Sequence, residues 1–159
     1  MSPELEDLYQ QVLLDHSKRP RNFGELTDGA VHVHGDNPSC GDEIDLHVRF
    51  GPAREVEEIK FTGQGCAICM ASASMMTMKL KGRSQTEAAQ LGEAFHSLVT
   101  GGGAPPLRAL GDLQLLEGVR KFPQRVKCAM LAWRAFEQAV STDATQAPKP
   151  VSTEGESES

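Results

Sequence analysis

The sequence predicts an α+β fold: a small antiparallel β-sheet with helices packed on one face. Segments with strand-like alternation come early, and longer segments with helical periodicity come later. The two kinds do not interleave as a parallel βαβ sheet requires. The chain has 159 residues, 39% of them hydrophobic, enough for one modest core and too few for a second full domain. One domain is expected over residues 1–141, followed by a disordered polar tail over residues 142–159.

Each element has its own local cause. Leu5, Leu8, Tyr9, Val12, Leu13 and His16 share a face at helical spacing. They predict a helix from about Pro3 to Ser17, with Ser2 as N-cap and Pro3 at the first helical position. Arg19-Pro20-Arg21-Asn22-Phe23-Gly24 breaks it. Val31 and Val33 alternate with His32 and His34 as a short strand, and Ile44 to Phe50 alternates as a half-buried one. After the Gly51-Pro52 turn, Val56 to Phe61 returns as an antiparallel partner. Gly63-Gln64-Gly65 leads into an Ala- and Met-rich helix from Cys66 to Lys81, stopped at Gly82. Ser84 and Glu87 form a capping box for a helix reaching about Val99. Gly101 to Pro106 is a flexible loop, and Leu107 to Val119 one or two short helices. A last helix runs from Arg125 to Val140, with Val126, Met130, Trp133 and Phe136 along one face. Beyond Ser141 the chain is polar, with no apolar periodicity.

Composition narrows the function. Sixteen basic against 22 acidic residues leave a net charge of −6, without the basic footprint of a nucleic-acid binder. No stretch approaches a membrane span, and the acidic N-terminus lacks the pattern of a secretory signal, so a cytoplasmic location is expected. In a reducing compartment the four cysteines read as metal ligands or catalytic thiols rather than disulfides. Gly and Asp crowd around them, where buried small hydrophobes would have Leu and Val.

Cys40, Asp42, Cys66 and Cys128 together supply four donors of the kinds that bind tetrahedral Zn²⁺. Cys40 and Asp42 flank Gly41, so one loop can turn both toward one ion. Cys66 follows a Gly-flanked turn and opens a helix, where the dipole favours a thiolate. Cys128 lies far along the chain, and spacing alone does not bring it in. Cys66-Ala67-Ile68-Cys69 is also a C-x-x-C, yet no βαβ context surrounds it, and Cys69 reads as a small residue facing the helix interior. His32 and His34 share a strand face that could take a metal or simply be solvated. His47 reads as exposed. Met70, Met75, Met76 and Met78 read as adaptable packing. The run Lys18-Arg19-Pro20-Arg21 reads as a solvated turn or a docking patch.

Four phrases in order carry a family resemblance spanning roughly Leu5 to Val140. They are Leu13-Leu14-Asp15-His16 with Pro20-Arg21-Asn22-Phe23-Gly24, then Asn37-Pro38-Ser39-Cys40-Gly41-Asp42, then Phe61-Thr62-Gly63-Gln64-Gly65-Cys66-Ala67-Ile68, and finally Arg125-Val126-Lys127-Cys128-Ala129. The chain resembles the SufU branch of the IscU/NifU-like iron–sulfur assembly proteins. Two features select the branch. Lys127 stands where IscU-type scaffolds carry a His, and the Gly101 to Leu116 region resembles the insertion that marks SufU. Cys69 departs from the family, which usually has Ser there. The resemblance implies a SufE/NifU-like fold, and Cys40, Asp42, Cys66 and Cys128 as ligands of zinc. It implies sulfur transfer from a SufS-type cysteine desulfurase toward a downstream iron–sulfur scaffold or other acceptor. A desulfurase histidine would take a zinc position and free Cys40 to attack. The alternative is a scaffold that assembles a [2Fe–2S] cluster on the same ligands.

Overall fold

The computed structural model describes residues 3–27, 29–101, 108–142 and 150–153. Helix α1 (Pro3–Lys18) is followed by β1 (Val31–Asn37), β2 (Asp42–Phe50) and β3 (Val56–Gln64). Helices α2 (Ala67–Leu80) and α3 (Gln85–Thr100), a 3₁₀ segment (Arg108–Lys121), α4 (Pro123–Ser141) and a short strand β4 (Val151–Ser152) complete the chain. The sheet order is β3-β2-β1-β4. β1 pairs antiparallel with β2 and β2 with β3, while β4 adds to β1 in parallel. The sheet is therefore mixed, where an antiparallel one was expected.

The alternation in β2 decides its faces. Ile44, Leu46 and Val48 are fully buried toward the helices, with Val33, Ile59 and Phe61 beside them. Leu131, Ala135 and Phe136 of α4 and Met76 and Leu80 of α2 join the same core. Helix α2 is buried almost all round, as its run of Ala, Met and Ser requires. Of the four methionines in α2, Met70, Met75 and Met76 pack inside, while Met78 is 54% exposed. The capping box of α3 forms as expected, with Ser84 and Glu87 each bonding the other's backbone N–H. Gly101 closes that helix in the left-handed conformation. The 3₁₀ segment kinks at Gly111. Among the described residues, no helix is long and apolar enough to cross a membrane.

The polar residues of α2 are met by the segment around residues 15–24. Ser74 Oγ accepts the Arg21 backbone N–H at 2.8 Å and lies 2.7 Å from His16 Nδ1. Asn22 donates to Thr77 Oγ1 at 3.0 Å, and Thr77 donates to the Ser74 carbonyl. Asn22 and Gly24 exchange backbone bonds with Phe61, so residues 22–24 run along the outer edge of β3. Asp15 pairs with both Arg19 and Arg21, so two cations of the basic run are engaged locally.

Two expectations are corrected. His47 is only 5% exposed. It does lie on the sheet face away from the helices, but the Leu26 carbonyl bonds its Nδ1 at 3.2 Å and His32 stacks on its ring. The polar tail expected over residues 142–159 differs at Val151–Ser152, which pair with Gly35 and Asp36. Residues 143–149 and 154–159 lie outside the described residues, as do the Ser2 cap and most of the Gly101 to Pro106 loop. On the open face, His32 and His34 both approach Asp45 Oδ1, at 2.9 and 3.0 Å. That carboxylate satisfies the pair.

Burial and the neighbouring Arg21 hold His16 below its ordinary pKa, with Nδ1 in hydrogen-bond contact with Ser74 Oγ. A depressed folded pKa means that stability is complete above the unfolded value of 6.5. It is lost as pH falls from there through the lower folded value. The Tm of metal-free protein should therefore drop below pH 6.5, and His16→Gln should remove part of that slope. Thermal unfolding of both chains across pH 5–8 checks this.

Candidate metal centre

Three segments meet at one end of the sheet. The first is the turn between β1 and β2. The Cys40 amide donates to the Asn37 carbonyl at 3.1 Å, and Gly41 takes the left-handed conformation at φ +72°. This presents Cys40 on an exposed turn and starts β2 at Asp42, whose side chain is buried. The second is the turn from β3 into α2. A Cβ at Gly65 would stand 2.5 Å from Asp42 Oδ1, so only glycine lets the backbone pass this close. The Cys66 amide then donates to the same Oδ1 at 2.8 Å. The third is α4, which opens with Pro123 in its first turn and carries Cys128 inward, buried.

The sulfur atoms of Cys40 and Cys128 and a carboxylate oxygen of Asp42 all lie within 4.8 Å of one another. Cys66 falls outside that tight group, but its amide is bonded to Asp42 Oδ1 and its thiol lies beside the Cys128 thiol. All four ligands expected from the sequence thus share one end of the fold. Cys69 is 1% exposed and lies in the core behind the centre, outside the group of close donor atoms.

The electrostatics follow from that packing. The bond from Cys128 pulls the Cys66 thiol down to about 6, with the Cys69 backbone amide and Arg125 assisting against burial. Cys128 moves the other way, because its proton is held against Cys66 and because it is buried next to Asp42. Burial also pushes Cys69 up. The exposed guanidinium of Arg125 stands near Cys66 and Cys128, and the negative charge at Cys66 above all raises its pKa.

Arg125 and Asn37 are site residues that the motif reading did not assign. Arg125 lies three positions before Cys128 on one helix, a spacing that places both on one face. Asn37 ends an alternating strand at a core position. It is fully buried, with Nδ2 3.4 Å from Asp42 Oδ2 and 3.6 Å from Cys128 Sγ.

The donor set fits a soft, thiophilic ion. Zinc–sulfur bonds of about 2.3 Å and zinc–oxygen bonds of about 2.1 Å put tetrahedral ligand atoms roughly 3.5–3.8 Å apart. Donor atoms already within 4.8 Å reach that spacing by small side-chain rotations. Thiolates and a carboxylate without histidine also suit an iron–sulfur cluster.

Two outcomes test the geometry. In metal-free protein near neutral pH, an alkylating reagent should modify Cys66 and Cys40 first. Cys128 and Cys69 should follow only on unfolding, as read by peptide mass spectrometry over time. Gly65→Ala should destabilise the fold by roughly 1–3 kcal/mol through the clash with Asp42, measured by denaturant unfolding. Gly41→Ala, with nothing within 4 Å of its Cβ, bears only backbone strain and should cost less.

The NifU-like N terminal domain family matches residues 8–146. The iron–sulfur cluster assembly scaffold protein IscU of Streptococcus pyogenes is 46% identical over 141 residues, 89% of this chain and 87% of that protein. The zinc-dependent sulfurtransferase SufU of Bacillus subtilis is 45% identical over 139 residues, 87% of this chain and 93% of that protein. Among solved structures, an iron–sulfur cluster assembly scaffold protein for the SUF system from Fervidobacterium islandicum superposes with a TM-score of 0.75 at 30% identity. That match covers 82% of this chain and 94% of the other. With this sheet, these turns and these thiols, the chain belongs to the NifU-like N-terminal domain family of iron–sulfur assembly proteins.

Proposed function

We propose that this protein is a zinc-dependent sulfurtransferase of iron–sulfur cluster assembly. It would accept persulfide sulfur from a SufS-type cysteine desulfurase in the cytoplasm and pass it to a downstream scaffold or other acceptor. The reading rests on one contrast. Cys40 stands on an exposed turn, while the two donors it meets, Asp42 and Cys128, are buried. A thiol that must leave the centre and receive sulfur belongs on the exposed side. The relative named for zinc-dependent sulfur transfer adds support.

Cys40, Asp42, Cys66 and Cys128 would hold the ion. Bound zinc keeps its thiol ligands deprotonated at neutral pH. The chain's own residues do the rest. Arg125 offsets part of the negative charge that the thiolates and Asp42 accumulate. Asp42, fixed by the Cys66 amide and by Asn37, holds the buried side of the centre in place when Cys40 swings out. The freed Cys40 thiolate attacks the outer sulfur of the donor persulfide. The donor's S–S bond breaks, its inner sulfur leaves as a thiolate, and Cys40 becomes the persulfide. One neutral sulfur atom moves, so no oxidant or reductant enters.

The scaffold reading has its own support in the relative named IscU scaffold protein. Against it stands Lys127, whose ammonium cannot ligate where a histidine could. Metal analysis of purified protein separates the two: zinc without visible absorbance supports transfer, whereas a brown iron- and sulfide-loaded chain supports the scaffold. Mixed with a SufS-type desulfurase and cysteine, the zinc-loaded protein should gain 32 Da (about one sulfur atom) on Cys40. Cys40→Ala should lower its stimulation of the desulfurase to background, while Cys69→Ser should leave it unchanged. Full stimulation by a folded Cys40→Ala chain would sink the assignment and leave a zinc domain that only mediates contacts.

A further inference from the structure

The C-terminal strand reaches the metal centre by a route that the four ligand motifs do not reveal. β4 lies parallel to β1, with Val151 level with Gly35 and Ser152 level with Asp36. The Thr153 amide donates to the Asp36 carbonyl at 3.1 Å. One further step of this register sets Thr153 beside Asn37. Residues level with each other in parallel strands face the same side, and in β1 the buried side holds Val33, Gly35 and Asn37. Val151 and Thr153 therefore face the helices. Gly35 makes room for this. A Cβ there would stand 3.0 Å from Val151 and 3.2 Å from Leu131 of α4.

Asn37 and Thr153 are both fully buried. Each has a side-chain oxygen with no hydrogen-bond partner: Asn37 Oδ1 and Thr153 Oγ1. The carboxamide oxygen only accepts, whereas the hydroxyl donates and accepts, so the two are complementary. Leaving either unmet in a core is costly. A turn of the Thr153 side chain about χ1, or one buried water between them, would close the pair. The other end of the Asn37 carboxamide is the Nδ2 that touches Asp42 and Cys128.

We propose that Thr153 is a positioning residue of the metal centre. Its hydroxyl, brought in by β4, orients the Asn37 carboxamide, and that carboxamide sets the Asp42 carboxylate and the Cys128 thiolate. The proposal rests on the reading of these residues as metal ligands. Partners one bond removed from a metal ligand fix its orientation, and losing one typically weakens metal binding by about 10–100-fold.

The test uses full-length protein, with zinc affinity read by competition with a chromophoric chelator. Thr153→Val keeps the shape and removes the hydroxyl, while Thr153→Ser keeps the hydroxyl. Thr153→Val should bind zinc about 10-fold more weakly, and Thr153→Ser should match the parent chain. In an Asn37→Ala background, Thr153→Val should cost nothing further. The side-chain amide resonance of Asn37 in metal-free protein should shift in Thr153→Val and stay in place in Thr153→Ser. Parent-like zinc affinity in Thr153→Val, equal losses in both variants, or an undiminished loss without Asn37 would each overturn the proposal. If the parent chain binds no zinc, the ligand assignment fails. The Asn37 resonance still decides whether Thr153 holds the carboxamide.

Discussion

A buried carboxylate is expensive unless its oxygens are met, and the centre of this fold is organised around one. Asp42 lies fully inside. Its Oδ1 takes the Cys66 amide, and its Oδ2 faces the Asn37 carboxamide. An unmet carboxylate in that place would cost several kcal/mol. The bond to the Cys66 amide therefore clamps the start of β2 to the start of α2, two segments that meet only at this end of the sheet. Gly65 is small because Asp42 is there, and Gly63 because a Cβ would run into the Glu43 carbonyl. Gly65 is thus a consequence of the acid and Gly63 of the neighbouring strand's backbone, rather than of general flexibility.

The same principle governs the middle of the molecule. Helix α2 is buried on most of its surface, yet it carries Ser72, Ser74 and Thr77 there. Each is answered by another element. Ser72 donates to the Ala129 carbonyl at 2.6 Å and accepts from the Trp133 indole. Ser74 and Thr77 are answered by the stretch from His16 to Asn22. Hydrogen bonds of this kind add directionality that apolar packing lacks. They set how α1 and α4 lie against α2, and hence where Cys128 stands relative to Cys66.

Much of this was legible in the residues. The alternation from Ile44 to Phe50 gave both the strand and its buried face, because period two is a direct read of sheet sidedness. Ser84 with Glu87 marked a helix start through local chemistry alone, whereas the helix expected from Arg125 opens two residues earlier, at Pro123. The four thiol and carboxylate positions stood out because glycine and aspartate replaced apolar neighbours. Other features depend on tertiary contacts. His47 sits on the face that alternation assigns to solvent, but residues near Leu26 fold over it. Arg125 reads as an ordinary helix charge until α4 is docked beside α2. A two-residue strand such as β4 has no periodicity to detect, and its register comes from the gap that Gly35 leaves. The buried Asn37 amide belongs to the same class, since its meaning lies in partners 5 and 91 positions away.

Both margins of the sheet are interrupted. Residues 22–24 occupy β3 at Phe61, and Val151–Ser152 occupy β1 at Gly35 and Asp36. A metal centre built at this end of the sheet would pass through a stripped state on loading and release, with Asp42 held by the Cys66 amide and Asn37 alone. Chains in such a state tend to zip together along bare strands. Here an incoming strand would find each margin already broken by the protein's own backbone. The metal-depleted form is thereby guarded against fibrous self-association at the stage when it is most exposed to it.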